Sequence, residues 1–450
     1  MKQINLLEAP VRQAFISYLM PSVSATLVTS IYILADTVMI GRGIGAAGMA
    51  ALNLLLPLYS VYFGLGMLCG VGGSVLFCFE RGRGNEKAAR GYFTTALFMA
   101  VVFAVSSFCL CRTFFDPLLV LLGNTDSMTG YARPYGLVLV TAAPVFVFSS
   151  FLQAFVRNDG APRLAMAGVI SGGVTNVILD YVTIYVLKWG MGGAALSTAA
   201  GSTLTVLILS AHFFAKENHL RPVPTLSLRK MREIISSGLA SFLMEVSSGL
   251  VTFLFNRQLL AYVGDIGVVV YGIISNTALV VLSVSNGIAQ AVQPLLAMNF
   301  GAGKRARVRE ASTLGIRTAL FVGVLFMAVG LLFPTPLSHL FLDPSPEVLL
   351  MAVPAIRLYF ICFPASEWNI LCSAYFQSTV RPGISLTISL LRGVVLNSFF
   401  VFFLPVFFGV NGIWLTVTAS EFLTAAVTAF FMKKELTHNG APAITIENDK

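Results

Sequence analysis

Charge is scarce in this chain. Asp, Glu, Lys and Arg make up 11% of the 450 residues against 56% hydrophobic ones, and the mean hydropathy is +0.83. That balance excludes an ordinary soluble domain. Short segments of alternating polarity are missing too, which excludes a transmembrane barrel, whose strands need only about 9–11 residues. Six cysteines (Cys69, Cys78, Cys109, Cys111, Cys362, Cys372) are scattered, with no CxxC pair and no neighbouring histidine. They form no zinc or redox motif and read as small apolar packing residues. The four histidines, His212, His219, His339 and His438, lie near helix ends or beyond the apolar runs, so neither an intramembrane zinc site nor His-based catalysis is supported. No G-x-x-x-x-G-K-[ST] loop is present for ATP, and no GxSxG or HExxH for hydrolysis. GIGAAG at 43–48 satisfies G-x-G-x-x-G, but it follows an apolar helix instead of a strand and lacks the βαβ unit that gives the fingerprint its meaning. An enzyme is not expected, and neither is a cofactor.

What is present is a series of apolar runs, each long enough as a helix to cross a hydrocarbon core about 30 Å thick. Twelve are expected: 13–41, 49–78, 91–115, 131–156, 163–187, 192–215, 233–262, 267–299, 310–333, 347–377, 383–408 and 412–432. A polar stretch leads straight into the first, so no cleavable signal is expected. The net charge of +9 is gathered in alternate loops. Arg81, Arg83, Lys87 and Arg90 follow span 2, Lys216, Arg221, Arg229, Lys230 and Arg232 join spans 6 and 7, and Lys304, Arg305, Arg307 and Arg309 follow span 8. By the positive-inside rule both termini are cytoplasmic. The same asymmetry speaks for topology and against a nucleic-acid partner.

The chain repeats itself. Pro134, Pro144 and Pro162 return as Pro354, Pro364 and Pro382, an offset of 220, and Gly82, Gly84 and Gly193 return as Gly301, Gly303 and Gly412, an offset of 219. Asn176 returns as Asn397 after one or two extra residues. The fold class is therefore all-α: a polytopic membrane protein of twelve helices in two six-helix bundles, related by a pseudo-two-fold axis along the membrane normal. Expected units are an amino-terminal lobe 1–215, a polar linker 216–232, a carboxy-terminal lobe 233–435 and a polar tail 436–450. Pro21, Pro144 and Pro364 each remove a backbone hydrogen bond within a span and are hinge candidates.

Ionisable groups inside spans are functional hypotheses by default. The first half holds two, Asp36 and Asp180; the second holds Glu245, Arg257, Arg317, Arg357, Glu367, Arg392 and Glu421. Counted from the outer ends of their helices, Asp36, Asp180 and Thr198 share a level about 9–12 Å below the surface. Asn176 lies one turn deeper than Asp180 on the same helical face. Two carboxylates, an amide and a hydroxyl suit a small hard cation, and the carboxylates could instead hold a proton. A purely architectural pair would be needed in both copies, yet the second has Asn256 for Asp36 and an apolar residue near 400 for Asp180. For Arg392 and Glu421 a structural ion pair is the favoured reading.

Local motifs add a resemblance. The ILADTVMIGR ending of helix 1, the FVRNDGAP turn, the N-x-x-x-D of helix 5 and the GMGGAALSTA opening of helix 6 resemble the multidrug and toxic compound extrusion family over essentially the whole chain. The resemblance implies antiport, with sodium ions or protons driving export of amphipathic or cationic organic compounds. It implies a cation site at Asp36, Asn176, Asp180 and Thr198, with the Ala194 carbonyl available one turn before Thr198. It also implies a cavity aromatic at Tyr32, and cation or substrate roles for Glu245 and Glu367, with Asn256 a further substrate-binding candidate. Expected partners are the organic substrate and the bilayer, and the protein is expected as a monomer in a bacterial inner membrane. The alternative is a flippase for lipid-linked precursors or oligosaccharides, kept open by Arg257, Arg317, Arg357 and Arg392. A channel or receptor would need a filter or an outer ligand domain, and the loops are too short for either.

Overall fold

The structure, a computed structural model, describes residues 4–340 and 344–438; of the polar tail, 439–450 lie outside the described residues. Among the described residues eleven helices are long and apolar enough to span a membrane, and a bent pair counted as one span makes a twelfth: α1 (Val11–Gly43), α2 (Ala46–Gly82), α3 (Glu86–Thr113), α4 (the bent pair, Met128–Thr141 with Ala143–Asn158), α5 (Pro162–Val186), α6 (Gly190–Phe214), α7 (Leu228–Val263), α8 (Asp265–Gly301), α9 (Arg305–Leu332), α10 (Pro346–Ser378), α11 (Pro382–Phe408) and α12 (Val410–Glu435). No strand occurs among the described residues. The fold is thus all-α, in two six-helix bundles, α1–α6 and α7–α12. The join between them is non-helical over 215–227, and α7 begins at Leu228, inside the stretch expected as linker.

The duplication extends to the backbone. Short helices Phe115–Leu121 and Pro334–His339 precede α4 and α10, and left-handed glycines recur as Gly45 with Gly264, Gly84 with Gly303 and Gly190 with Gly409. The fourth span is not straight: its two halves meet at 53°, and Pro144 lies in the first turn of the inner half, where no amide hydrogen is needed. Pro364 lies equivalently in the first turn of the inner half of α10, after a break following Phe360. Pro21 is buried inside an unbroken α1. One repeat position departs from its mate: Gly160 has φ 94° and Val380, 220 residues on, has φ 56°. A left-handed β-branched residue costs about 1–2 kcal/mol. Val380→Gly is therefore expected to stabilise the solubilised protein by about 1 kcal/mol, read as a raised melting temperature.

Three pairs of helices, α1 with α8, α2 with α7 and α2 with α8, make the main joins between the bundles. Close approach near the face where α1 begins and α12 ends depends on glycine: a Cβ on Gly82 would fall 2.0 Å from the Met298 carbonyl oxygen, and one on Gly301 2.0 Å from that of Phe79. α1 straddles the two cores. Its first turns (Val11, Ala14, Phe15, Tyr18) are buried with α8 and α9 residues of the carboxy-terminal bundle, and Arg307 of α9 donates to the carbonyls of Leu6 at 3.0 Å and Ala9 at 2.6 Å. Its outer half, carrying Tyr32 and Asp36, lies instead against α5.

Candidate functional site: a carboxylate pair above an amino-bundle cavity

Glycine lets α1, α5 and α6 converge. A Cβ on Gly173 would meet the Tyr32 ring at 2.7 Å, one on Gly43 would meet Ile184 at 2.4 Å, and one on Gly201 would meet the Gly172 carbonyl oxygen at 2.5 Å. Tyr185 of α5 ties the outer ends together by donating to the Met39 carbonyl at 3.1 Å. Directly after Asp180 the helix widens into a π-turn, Tyr181–Val186, a distortion that recurs at functional sites.

The three residues expected at one level, and Asn176 one turn deeper, lie together. Asp36 and Asp180 lie within hydrogen-bonding reach of one another, and Asp180 also faces Asn176 and Ser197. The Asn176 amide nitrogen donates to the Thr198 hydroxyl at 3.4 Å, and that hydroxyl donates to the Ala194 carbonyl at 3.2 Å. Asp180 is 0% exposed and Asn176 3%. Yet Asp36 Oδ1, both Asp180 carboxyl oxygens and Asn176 Oδ1 are buried with no hydrogen-bond donor. Buried acceptors left so are costly, and a small cation or a proton would satisfy them. No cluster of three or more His, Cys, Asp or Glu residues suits a metal among the described residues. Two residues absent from the sequence reading join the site: Ser197, and Tyr135 of α4, which lies beside Thr198 and within electrostatic range of Asp36 and Asp180. Tyr135 was legible in one way, since its repeat mate is Ala355.

Below the pair, toward the inner ends of the helices, opens a small cavity lined by Tyr32, Tyr59, Phe63, Phe146, Asn176 and Thr198 among others. A second, smaller space, bordered by Pro21, Arg157 and Gln290, shares Gln153 and Val169 with it.

The remaining candidates disperse. Glu245 of α7 does not serve its own bundle: it sits against Gly64 of α2 and near the hydrogen-bonded tyrosines Tyr32 and Tyr59. Glu367 is 1% exposed, accepts a hydrogen bond from Ser285 of α8 and packs on Gly323 of α9. Asn256, about three turns from Glu245, has a buried amide oxygen without a donor. Arg392 and Glu421 form the expected ion pair, 2.7 Å apart and under 10% exposed. Arg257, Arg317 and Arg357 are exposed, on three different helices, and line neither cavity.

The FVRNDGAP turn is a junction. Arg157 donates to Gln290 of α8 at 2.7 Å, and Asn158 donates to Ser74 of α2, also at 2.7 Å. Asp159, 0% exposed, receives Arg81 at 2.9 Å, His212 at 2.8 Å and the His219 backbone at 2.9 Å. Two of the four histidines thus fasten α6 and the inter-bundle segment to the α4–α5 turn, to which Arg81 also ties α2. Burial pushes the Asp159 carboxyl up, but the hydrogen bonds from His212 and His219 and the Arg81 charge hold it below the usual carboxylate range. A lowered value stabilises the fold above the ordinary carboxylate range, and the gain is lost as pH falls through that lowered value. Asp159→Asn is expected to reduce the melting temperature by several degrees at neutral pH. Thermal-shift curves should show the gap persisting into weak acid and closing only below it.

Comparison with known proteins follows the same division. The MatE family model matches the chain twice, over residues 21–182 and 238–403, once in each bundle. The multidrug export protein MepA of Staphylococcus saprophyticus is 24% identical over 446 residues, covering 96% of both chains. MepA of Staphylococcus haemolyticus is 23% identical, covering 98% of both. A solved structure described as the outward-facing conformation of a multidrug resistance MATE family transporter superposes with a TM-score of 0.90 at 22% identity, over 97% of this chain and 98% of that one. Two family segments that together span most of the sequence, on a fold shared nearly end to end, leave one conclusion: the chain belongs to the MatE family.

Proposed function

We propose that this protein is a secondary antiporter exporting amphipathic or cationic organic compounds in exchange for Na+ or H+. One observation carries the reading: buried carboxylate and amide oxygens of α1 and α5, left without donors, stand beside an aromatic cavity whose wall includes Asn176 and Thr198. Asp36, Asp180, Asn176 and Thr198 hold the incoming cation or proton, with the Ala194 carbonyl beside them. The organic cargo occupies the cavity against Tyr32 and Tyr59, where aromatic faces attract cations, and Glu245 adds a negative charge from the opposite bundle. Cargo and coupling ion share α1, so each changes the packing the other meets. Exchange requires that the ion bind two conformations with different affinity.

Alternating access supplies those conformations. The lobes 1–215 and 233–435 rock about the α1–α8 and α2–α7 contacts, with 216–232 as their connection and Pro21, Pro144 and Pro364 as the bending points. Both termini face the cytoplasm of a bacterial cell, and the working unit is a monomer in its inner membrane. The names of the MepA relatives accord with this reading. A flippase for pyrophosphate-linked lipids would gather cations in its cavity, whereas Arg392 is neutralised by Glu421 and the other three arginines stand apart.

The test is transport of a cationic dye by reconstituted protein with sodium and proton gradients imposed separately. Dye movement driven by either gradient supports the exporter and identifies the ion; movement under neither defeats it.

A further inference from the structure

The bundles are copies of one unit, and helix landmarks fix which residues correspond. The inner halves of α4 and α10 start at Ala143 and Phe363, and α5 and α11 start at Pro162 and Pro382, an offset of 220 in both cases. Ahead of α6 and α12 the left-handed glycines Gly190 and Gly409 give 219. In this register four residues lining the amino-bundle cavity, Phe146, Ser149, Gly172 and Ser202, correspond to Ser366, Asn369, Arg392 and Glu421.

Those four counterparts bond to one another. Arg392 reaches Glu421 Oε1 through both Nε and Nη2, at 3.1 and 2.7 Å, and its Nη2 also donates to Ser366 Oγ at 2.8 Å. Asn369 donates to Glu421 Oε2 at 2.8 Å. The same positions that surround open space in one bundle are joined across it in the other. Thr205 and Thr424, identical and 219 apart, mark the contrast: Thr205 lines the cavity and is 5% exposed, while Thr424 is 0% exposed. Backbone geometry accompanies the difference. α11 widens into a π-turn at Leu391–Val395, around Arg392, whereas at Gly172 any Cβ would lie 2.6 Å from the Gly201 carbonyl oxygen.

We propose that the Arg392–Glu421 pair is a plug, filling in the carboxy-terminal bundle the space that the amino-terminal bundle keeps open. Gly172 and Ser202, by lacking those side chains, then determine that this site accommodates an organic cation or amphiphile in one bundle and not in the other. The identity of that ligand rests on the exporter reading above; the plug itself does not.

Cysteine accessibility tests it without any ligand. In a full-length chain with its six cysteines replaced by alanine, Thr205→Cys should react with a small charged methanethiosulfonate, and Thr424→Cys should not. Adding Arg392→Gly with Glu421→Ser should raise labelling of Thr424→Cys about tenfold or more, since thiol reactivity follows access. Arg392→Met with Glu421→Leu, which keeps the volume and discards the charge, should leave it unlabelled. Equal labelling of the two cysteines with the ion pair intact, or no gain in a monodisperse Gly/Ser variant, would overturn the plug. If that variant does not fold, the milder Arg392→Ala with Glu421→Ala pair serves the same comparison, and the contrast between the two threonine positions decides without either. Dye transport is not involved, so failure here is distinct from failure of the exporter reading.

Discussion

Asp180→Asn will reduce gradient-driven dye efflux from everted vesicles by roughly tenfold or more, to near background, while folded protein remains in the membrane, and Asp36→Asn will do the same. Asparagine keeps the size and hydrogen-bonding capacity of aspartate, and both positions already neighbour polar groups, so packing of α1 on α5 should survive. What is lost is the negative charge that makes the donor-free oxygens at this level a place for a cation, or the carboxyl that would carry a proton. Without an ion whose affinity differs between two conformations, the gradient has no hold on the equilibrium. Dye binding to the purified variants should persist, because the aromatic wall below the pair is untouched. Wild-type exchange in both variants would defeat the assignment, whereas loss of folded protein in both would reduce the pair to architecture.

Arg392→Ala should act on the opposite quantity. Arg392 and Glu421 are 7% and 6% exposed in their side chains, and removing one partner strands a buried charge, at a cost of about 3–5 kcal/mol. Against a typical stability of about 5–15 kcal/mol this is a large fraction, so the yield of monodisperse protein should fall severalfold. Transport per folded molecule should change much less. Arg392→Met combined with Glu421→Leu should recover most of the yield, since exchanging a buried pair for apolar groups of similar volume is often neutral or better. Fluorescence-detected size exclusion beside vesicle efflux separates the two quantities. An Arg392→Ala protein expressed normally but inactive would contradict the structural role.

Much of the site was legible as depth. Residue counts from the helix ends put Asp36, Asp180 and Thr198 at one level, and the i, i+4 spacing placed Asn176 on the same face as Asp180. Tyr135 escaped because a tyrosine in an apolar span is usually packing, and only its contrast with Ala355 marks it. Asp159 escaped because its partners come from α2, the end of α6 and the segment beyond it, which no local pattern connects. Glu245 was legible as an intramembrane acid but not as a neighbour of Tyr32 and Tyr59, because the rotation of α7 against α2 is set by glycine contacts such as Gly72 with Gly238. The extra residue between Asn176 and Asn397 also gains a cause: the π-turn of α11 precedes Asn397, while that of α5 follows Asp180.

Sequence alone determined that this protein lives in lipid, crosses it twelve times and is built from one unit used twice, because hydropathy, span length and repeat spacing are properties of the chain read in order. Tertiary structure decided which polar groups meet. Facing is governed by how far each helix is turned and how closely glycines let it approach, and one π-turn shifts the register of everything after it by about 100°. That is why two acids meet between α1 and α5 in one bundle, while in the other an arginine and a glutamate pair with each other.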